Sequence, residues 1–154
     1  MKDAKVKKLV YAALFSALIC VATMVVKIPT PTGGYVNLGD CIVLLSGWML
    51  GPLYGFVAAG VGSMLADVFN GYVAYAPATF LLKGLVAFIG YFLFALFQKA
   101  LKKHPRLSLA LSGILAEVAM VAGYFGFEAT FLGYGLAAAA SIPGNCVQGA
   151  FGVV

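Results

Sequence analysis

Charged residues are scarce in this sequence. Only 10% of its 154 residues are Asp, Glu, Lys or Arg, whereas 63% are hydrophobic. A soluble domain of this size has too little interior to hide so much apolar surface. A lipid bilayer removes the difficulty because it acts as an apolar solvent around the helices. The composition therefore excludes an ordinary soluble domain and predicts an all-α integral membrane protein.

Histidine and paired cysteine are also nearly absent. His104 is the single histidine, and Cys20, Cys41 and Cys146 are far apart and form no CxxC pair. These residues provide no imidazole-based metal or catalytic cluster and no disulfide framework. The sequence also lacks the GxxxxGK[ST], HExxH and GxSxG motifs, so it contains no P-loop for ATP and no familiar hydrolase site. We therefore predict no enzyme activity, no metal and no cofactor.

The charge that is present is mostly positive, with a net value of +5 at neutral pH. It is concentrated in a basic tail at residues 1–8 and in a second basic segment at residues 99–106. Basic segments of membrane proteins stay on the cytoplasmic side. The charge therefore predicts a cytoplasmic N-terminus, and it gives no reason to expect nucleic-acid binding.

Apolar runs divide the chain into six predicted transmembrane helices, at residues 9–26, 40–50, 53–69, about 78–101, about 107–127 and 143–154. Residues 1–154 then form a single transmembrane domain. The last run is only about 18 Å long as a helix, whereas the apolar core of a bilayer is about 30 Å thick. We therefore expect this helix to be truncated, with C-terminal residues missing.

Six spans with an internal N-terminus place three turn-rich loops on the outer side, at residues 29–39, 70–77 and 128–141. The first loop contains two prolines and a Gly33-Gly34 pair, which favour a shaped turn. Asn37 and Asp40 stand where the second helix should begin, and both residue types cap helices. The loop is either a connector with a cap or a lid whose Tyr35 and Asn37 face a ligand.

Ionisable side chains within the predicted spans need partners, because each costs on the order of 2.5–3.5 kcal/mol to insert. Lys83 pairs with Asp67 or Glu117 as a structural bridge, or these groups bind a polar ligand. Asn145 and Gln148 share one face of the last helix, either as a site or as contacts between helices. We predict an outward-facing pocket whose ligand-binding residues are Tyr35, Asn37, Lys83, Glu117, Tyr124, Asn145 and Gln148.

Small residues at a spacing of four mark two helices for close packing. Ala13 and Ala17 lie on one face of the first helix, where another helix could approach closely. The third helix carries such residues on two faces: Gly55, Ala59 and Ser63, and Ala58, Gly62 and Ala66. This pattern predicts that the third helix packs against neighbours on two sides.

Several short motifs together resemble a known family. They are Tyr35-Val-Asn-Leu-Gly-Asp40, Leu50-Gly-Pro52, Ala66-Asp67, Ala76-Pro77-Ala-Thr, Lys83-Gly84 and Pro143-Gly-Asn145-Cys-Val-Gln148. The chain resembles the S component of an energy-coupling factor (ECF) vitamin transporter with the riboflavin-transporter-like fold. The resemblance implies six helices in a bacterial cytoplasmic membrane, an outward pocket and a gate formed by the first loop. It also implies association with a transmembrane coupling protein, the T component, and two cytoplasmic ATPases, with Ala13 and Ala17 as the docking face.

The substrate is less defined by the sequence. The chain has one tryptophan, Trp48, toward the inner end of the second helix, so it lacks the tryptophans that some members of the family place around a large ring. We favour a small heteroaromatic compound, hydroxymethylpyrimidine, over vitamin B6 or another vitamin such as riboflavin. A stand-alone secondary carrier that uses Lys83 and Glu117 as a relay, or a purely structural membrane subunit, remains an alternative.

Overall fold

The computed structural model describes residues 2–154 and contains six α-helices. Two three-residue strands and one 3₁₀ helix, Gly135–Ser141, complete the fold. In chain order the elements are α1 Lys2–Val25, β1 Lys27–Pro29, β2 Tyr35–Asn37, α2 Asp40–Leu50, α3 Pro52–Phe69, α4 Ala76–Ala100, α5 Pro105–Thr130 and α6 Ile142–Val153.

Four of the helices are long and apolar enough to cross a membrane. The candidate spans are Lys5–Val25, Pro52–Phe69, Ala76–Ala100 and Pro105–Thr130. α2 and α6 contain 11 and 12 residues, which corresponds to only about 17 and 18 Å of helix. The prediction of six helices is confirmed, whereas six complete spans and their orientation remain predictions.

Close packing centres on α3, as its small residues predicted. A side chain added at Gly62 would collide with the backbone of Ser16 on α1, and one added at Gly60 would collide with Phe80 on α4. The hydroxyl of Ser16 also donates to the carbonyl oxygen of Ala58 at 3.0 Å. The prediction that α3 packs on two sides is therefore confirmed, and glycine allows both neighbours to come within backbone distance.

The first loop contains a small β-hairpin rather than irregular chain alone. Strands β1 and β2 pair antiparallel, with Lys27 opposite Asn37. The connecting turn is closed by a hydrogen bond of 2.9 Å from the Thr30 amide to the Gly34 carbonyl oxygen. Gly33 has a φ of +79° there, which favours glycine. The hairpin lies against α6, since a side chain at Gly144 would come within 3.0 Å of Val36.

The cap predicted at Asp40 is absent. Gly39 occupies the N-cap position of α2, and no side chain hydrogen-bonds to the helix end there. Asn37 accepts a hydrogen bond of 2.9 Å from the Gly39 amide, so it shapes the turn that precedes the helix. The Asp40 side chain is instead buried, and it pairs with Lys83 on α4.

Candidate functional site

A polar cavity lies beneath the hairpin, between the ends of α3, α4, α5 and α6 that are nearest to it. Its volume is about 30 Å³, which is space for a few water molecules rather than for an aromatic ring. A ring-shaped ligand could therefore enter only if the lining side chains moved apart. The lining consists of Thr23, Thr30, Gly34, Tyr35, Asn37, Ser63, Asp67, Tyr75, Thr79, Lys83, Tyr124, Glu128, Asn145 and Gln148.

Lys83 lines this cavity and forms an ion pair with Asp40, which is not part of the lining. Its Nζ lies 2.5 Å from Asp40 Oδ1, and both side chains are almost fully buried. The prediction that Lys83 pairs with Asp67 or Glu117 is therefore wrong. The sequence suggested a capping role for Asp40 because it stands at the start of a helix. In the structure the first turn of α2 faces the bundle interior, so the carboxylate contacts Lys83, 43 residues away in sequence, and does not cap its own helix.

Gln148 connects this ion pair to the hairpin. Its Nε2 donates to Asp40 Oδ2 at 2.6 Å. Its Oε1 accepts from the backbone amide of Asn37 at 2.8 Å and from the side-chain Nδ2 of Asn37 at 3.2 Å. Both ends of the amide are thus engaged by the protein itself. Gln148 lines the cavity, but its hydrogen bonds connect α6 to α2 and β2.

Asn145 differs from Gln148, one turn away on the same helix. Its side chain is 7% exposed and lines the cavity. Within residues 2–154 it takes part in none of the side-chain hydrogen bonds that hold the site together. An amide offers both donors and an acceptor. Asn145 therefore presents hydrogen-bonding capacity to the cavity that no neighbour uses.

Three tyrosines contribute to the cavity wall. The Tyr35 hydroxyl donates to Asp67 Oδ1 at 2.7 Å, and the Tyr124 hydroxyl lies 3.0 Å from that of Thr79. Burial, reinforced by the nearby charge of Asp67, raises the pKa of Tyr35. Burial and the charge of Glu128 likewise raise the pKa of Tyr75. Tyr35 and Tyr75 are therefore neutral hydrogen-bond donors at physiological pH.

Glu128 fastens the hairpin turn over the cavity. Its Oε1 accepts from Thr32 Oγ1 at 3.0 Å and from the Tyr75 hydroxyl at 3.1 Å, while its Oε2 accepts from Ser141 Oγ at 2.5 Å. Tyr75 also donates to the backbone oxygen of Thr32 at 2.9 Å. One carboxylate on α5 thus holds the hairpin, the start of α4 and the segment before α6.

Glu117 is the predicted site residue that the structure places elsewhere. It is buried but absent from the cavity lining, and its side chain packs against α6, where Gly149 and Gly152 leave room for it. Within the described chain neither carboxylate oxygen has a hydrogen-bond partner. It borders a large apolar groove between α5 and α6 on the other side of the helix.

Six of the seven predicted residues thus surround one cavity. Whether they contact a ligand remains a prediction. The predicted set of seven leaves out Asp67 and Glu128, which also line the cavity. The sequence had grouped Asp67 with Lys83 and Glu117 as a bridge or a ligand site, and it had placed Glu128 at the start of a loop. The signal for Glu128 was its position on the same face of α5 as Tyr124, four residues earlier. Among residues 2–154, no three His, Cys, Asp or Glu side chains stand together as metal ligands.

Replacing Gly33 and Gly34 with alanine tests whether the hairpin turn is a gate. Alanine at Gly33 would strain the left-handed backbone, and a side chain at Gly34 would press on Thr30 and on the Tyr75 ring at 3.3–3.4 Å. We expect slower exchange or weaker binding of the small molecule that co-purifies with the protein, with helix content unchanged by circular dichroism. Gly71→Ala is the matched control, because its φ is +84° but open space surrounds it. Binding kinetics equal to those of the unmodified protein would remove the gate role.

Comparisons with known proteins agree with this architecture. The family described as the ECF-type riboflavin transporter, S component, matches residues 3–154. A Pyrococcus woesei protein, described as "Uncharacterized protein in gap 3'region", is 36% identical over 137 residues, which are 88% of this chain and 87% of that protein. A solved structure, reported as "Structure and mechanism of the S component of a bacterial ECF transporter", superposes with a TM-score of 0.73 and 23% identity. That superposition covers 97% of this chain and 90% of the other, and it is evidence for the fold alone.

Proposed function

Since this chain belongs to the family of ECF-type riboflavin transporter S components, we propose that it captures a small vitamin or vitamin precursor for an ATP-driven importer. The compound that we favour is hydroxymethylpyrimidine. The chain would bind this compound at the outer face of the bacterial cytoplasmic membrane. A T component and two ATPases would supply the energy, because the sequence contains no P-loop of its own.

The observation that carries this proposal is the polar cavity inside an otherwise apolar bundle. Polar and charged groups buried in a membrane protein are costly, and they usually mark a substrate path or site. Here Lys83, Asp67 and Asn145 converge with three tyrosines under a hairpin that forms a roof. Such an arrangement suits a compound with an aromatic face and a few hydrogen-bonding groups around its edge.

The composition of the wall favours a small ring over a large one. Trp48 is not part of the cavity, and its Nε1 instead donates to the Gly90 backbone oxygen at 3.2 Å. The cavity must also widen from about 30 Å³ to admit any ring. A single pyrimidine or pyridine requires less widening than a three-ring flavin. Vitamin B6 therefore remains the alternative substrate, ahead of riboflavin.

Glu117 supports a second candidate function, that of a stand-alone carrier driven by an ion gradient. A buried carboxyl without hydrogen-bond partners in the described chain can serve as a proton-binding group. Against this, the proposed relay partner Lys83 is already paired with Asp40. We therefore rank the carrier below the importer subunit.

Two measurements separate these functions. Mass spectrometry of small molecules that co-purify with the protein identifies the ligand, and we expect a single-ring heteroaromatic compound. Uptake of that compound into vesicles is then measured with and without the T component and ATPases. Uptake that needs all subunits and ATP supports the importer. Uptake by this chain alone, driven by an ion gradient, would replace the importer with the carrier.

We propose that Ala13 and Ala17 form the face that docks on the T component. Both side chains are exposed, whereas Ala12 and Ile19 on the same helix are buried in the bundle. An exposed face of small side chains allows a partner helix to approach closely.

Ala17→Trp should block assembly with the T component by steric exclusion, while ligand binding by the isolated subunit survives. Co-purification of the tagged subunit with its partners measures the first effect, and calorimetry measures the second. Val118→Trp is the matched control, since Val118 on α5 is 58% exposed and lies on a different helix. Normal assembly of the Ala17→Trp variant would mean that docking uses another face.

A further inference from the structure

Asp67 has an unusual position at the end of α3. Its side chain is only 3% exposed and lines the cavity. Oδ1 accepts the hydrogen bond from Tyr35, but Oδ2 has no partner anywhere in residues 2–154. A buried carboxylate oxygen without a donor is unfavourable, because it has lost water and gained nothing in exchange. Thr79, whose hydroxyl is shared with Tyr124 at 3.0 Å, lines the same cavity. A ligand that enters the cavity could supply the donor that Oδ2 lacks.

The other charged groups at the cavity already have partners within the protein. Lys83 is neutralised by Asp40, which also receives the Gln148 amide. Glu128 accepts three hydroxyl donors, so its two oxygens are occupied. In the described chain, Asp67 is therefore the carboxylate at the cavity that combines a negative charge with an open acceptor oxygen. Among the side chains that the structure describes, no cation lies within ion-pair distance of Asp67.

We propose that Asp67 selects ligands that carry a protonated nitrogen, such as an ammonium group or the amino edge of a protonated aminopyrimidine. This inference rests on the proposed function and specifies its substrate class. A cationic N–H donor would complete the hydrogen bonding of Oδ2 and neutralise the buried charge in one contact. The tyrosine rings of the same wall attract a cation as well.

The same charge balance excludes a class of ligands. A phosphorylated or carboxylated ring would bring a second negative charge next to Asp67, and Lys83 is not free to neutralise it. Like charges in a site of low dielectric repel strongly. The site should therefore take the free amine form of a vitamin and reject its phosphate ester.

Matched pairs of ring compounds test the proposal. Pyridoxamine and pyridoxine share one ring and differ in an ammonium or a hydroxyl group. Hydroxymethylpyrimidine and its 4-hydroxy counterpart differ in the amino group. Binding of all four, and of pyridoxamine phosphate, is measured by calorimetry at neutral pH with the full chain in detergent. The variants are Asp67→Asn, which keeps the shape and the acceptor for Tyr35, and Asp3→Asn, an exposed carboxyl at the start of α1.

We expect at least one amine to bind tenfold or more tightly than its hydroxyl counterpart, and pyridoxamine phosphate to bind more weakly than pyridoxamine. Asp67→Asn should abolish the preference, and Asp3→Asn should retain it. Melting without ligand shows that Asp67→Asn is folded. Equal binding within both pairs, or an Asp67→Asn variant that keeps the preference, would overturn the role of Asp67 and leave the importer function standing. If no probe binds and no small molecule co-purifies, the proposed function fails and the substrate class fails with it.

Discussion

Lys83→Met is expected to destabilise the ligand-free protein by about 3–5 kcal/mol, because it strands a buried carboxylate. Lys83 Nζ is the cation paired with Asp40 at 2.5 Å, and both side chains are shielded from water. Methionine has a similar length and lacks the charge, so it removes the pairing and leaves little void. Chemical unfolding of the detergent-solubilised protein measures the change.

A double variant isolates the cause of that loss. Asp40→Asn combined with Lys83→Met removes both charges, and asparagine can still accept the hydrogen bond that Gln148 donates at 2.6 Å. The double variant should recover most of the lost stability, since a neutral pair costs far less to bury than one unpaired charge. A double variant no more stable than Lys83→Met would show that the ion pair is not the reason for the loss.

Asn145→Ala is the comparison that separates scaffold from site. Asn145 lines the same cavity but takes no part in the hydrogen bonds of the ion-pair network. Its removal should leave melting nearly unchanged and weaken ligand binding about ten- to a hundredfold, which corresponds to one lost partner of a buried ligand group. A variant that loses stability and keeps its affinity would make Asn145 part of the scaffold.

Much of the fold could be predicted because helix length and hydropathy are local properties. The predicted run at residues 78–101 corresponds to α4, Ala76–Ala100, and the run at 107–127 corresponds to α5, Pro105–Thr130. The hairpin could not be predicted in this way. Its strands have three residues each, and one of them ends at Pro29. Such short strands carry no alternation of polar and apolar residues, and pairing across the turn determines them.

The sequence predicted several of the residues that line the cavity, but it did not predict which of them bond to each other. Lys83, Asn145 and Gln148 were recognisable because polar residues are rare in apolar helices. Which of them bond to each other depends on the rotation of each helix about its axis, and weak periodicity in a nearly uniform apolar sequence does not determine that rotation. The same uncertainty explains why Glu117 was assigned to the cavity although it faces Gly149 on α6.

Glu128 is the point at which the hairpin above the cavity is attached to α5. Its two oxygens hold Thr32 in the hairpin turn, Tyr75 at the start of α4 and Ser141 before α6. A ligand that enters from the hairpin side must pass between these segments. The turn cannot lift away from α5 without breaking the bonds of Thr32 to Glu128 and of Tyr75 to the Thr32 backbone. Opening of the site and release of the Glu128 contacts are therefore expected to be one event.

Glu128→Ala should open the roof and accelerate ligand release by tenfold or more. Each hydrogen bond to a charged acceptor contributes roughly 1.5–3 kcal/mol, although the three contributions are not additive. Hydrogen exchange should rise at the amides of residues 30–37, including the Thr30 amide that closes the turn. Ser141→Ala is the control, because it removes the Oε2 contact alone and leaves the two contacts of Oε1 that hold the hairpin. If exchange in the hairpin rises equally in both variants, the attachment runs through α6 rather than through the Thr32 and Tyr75 contacts. If hydrogen exchange in the hairpin rises in neither variant, the contact of Gln148 with Asn37 holds the hairpin in place, and the Glu128 contacts do not.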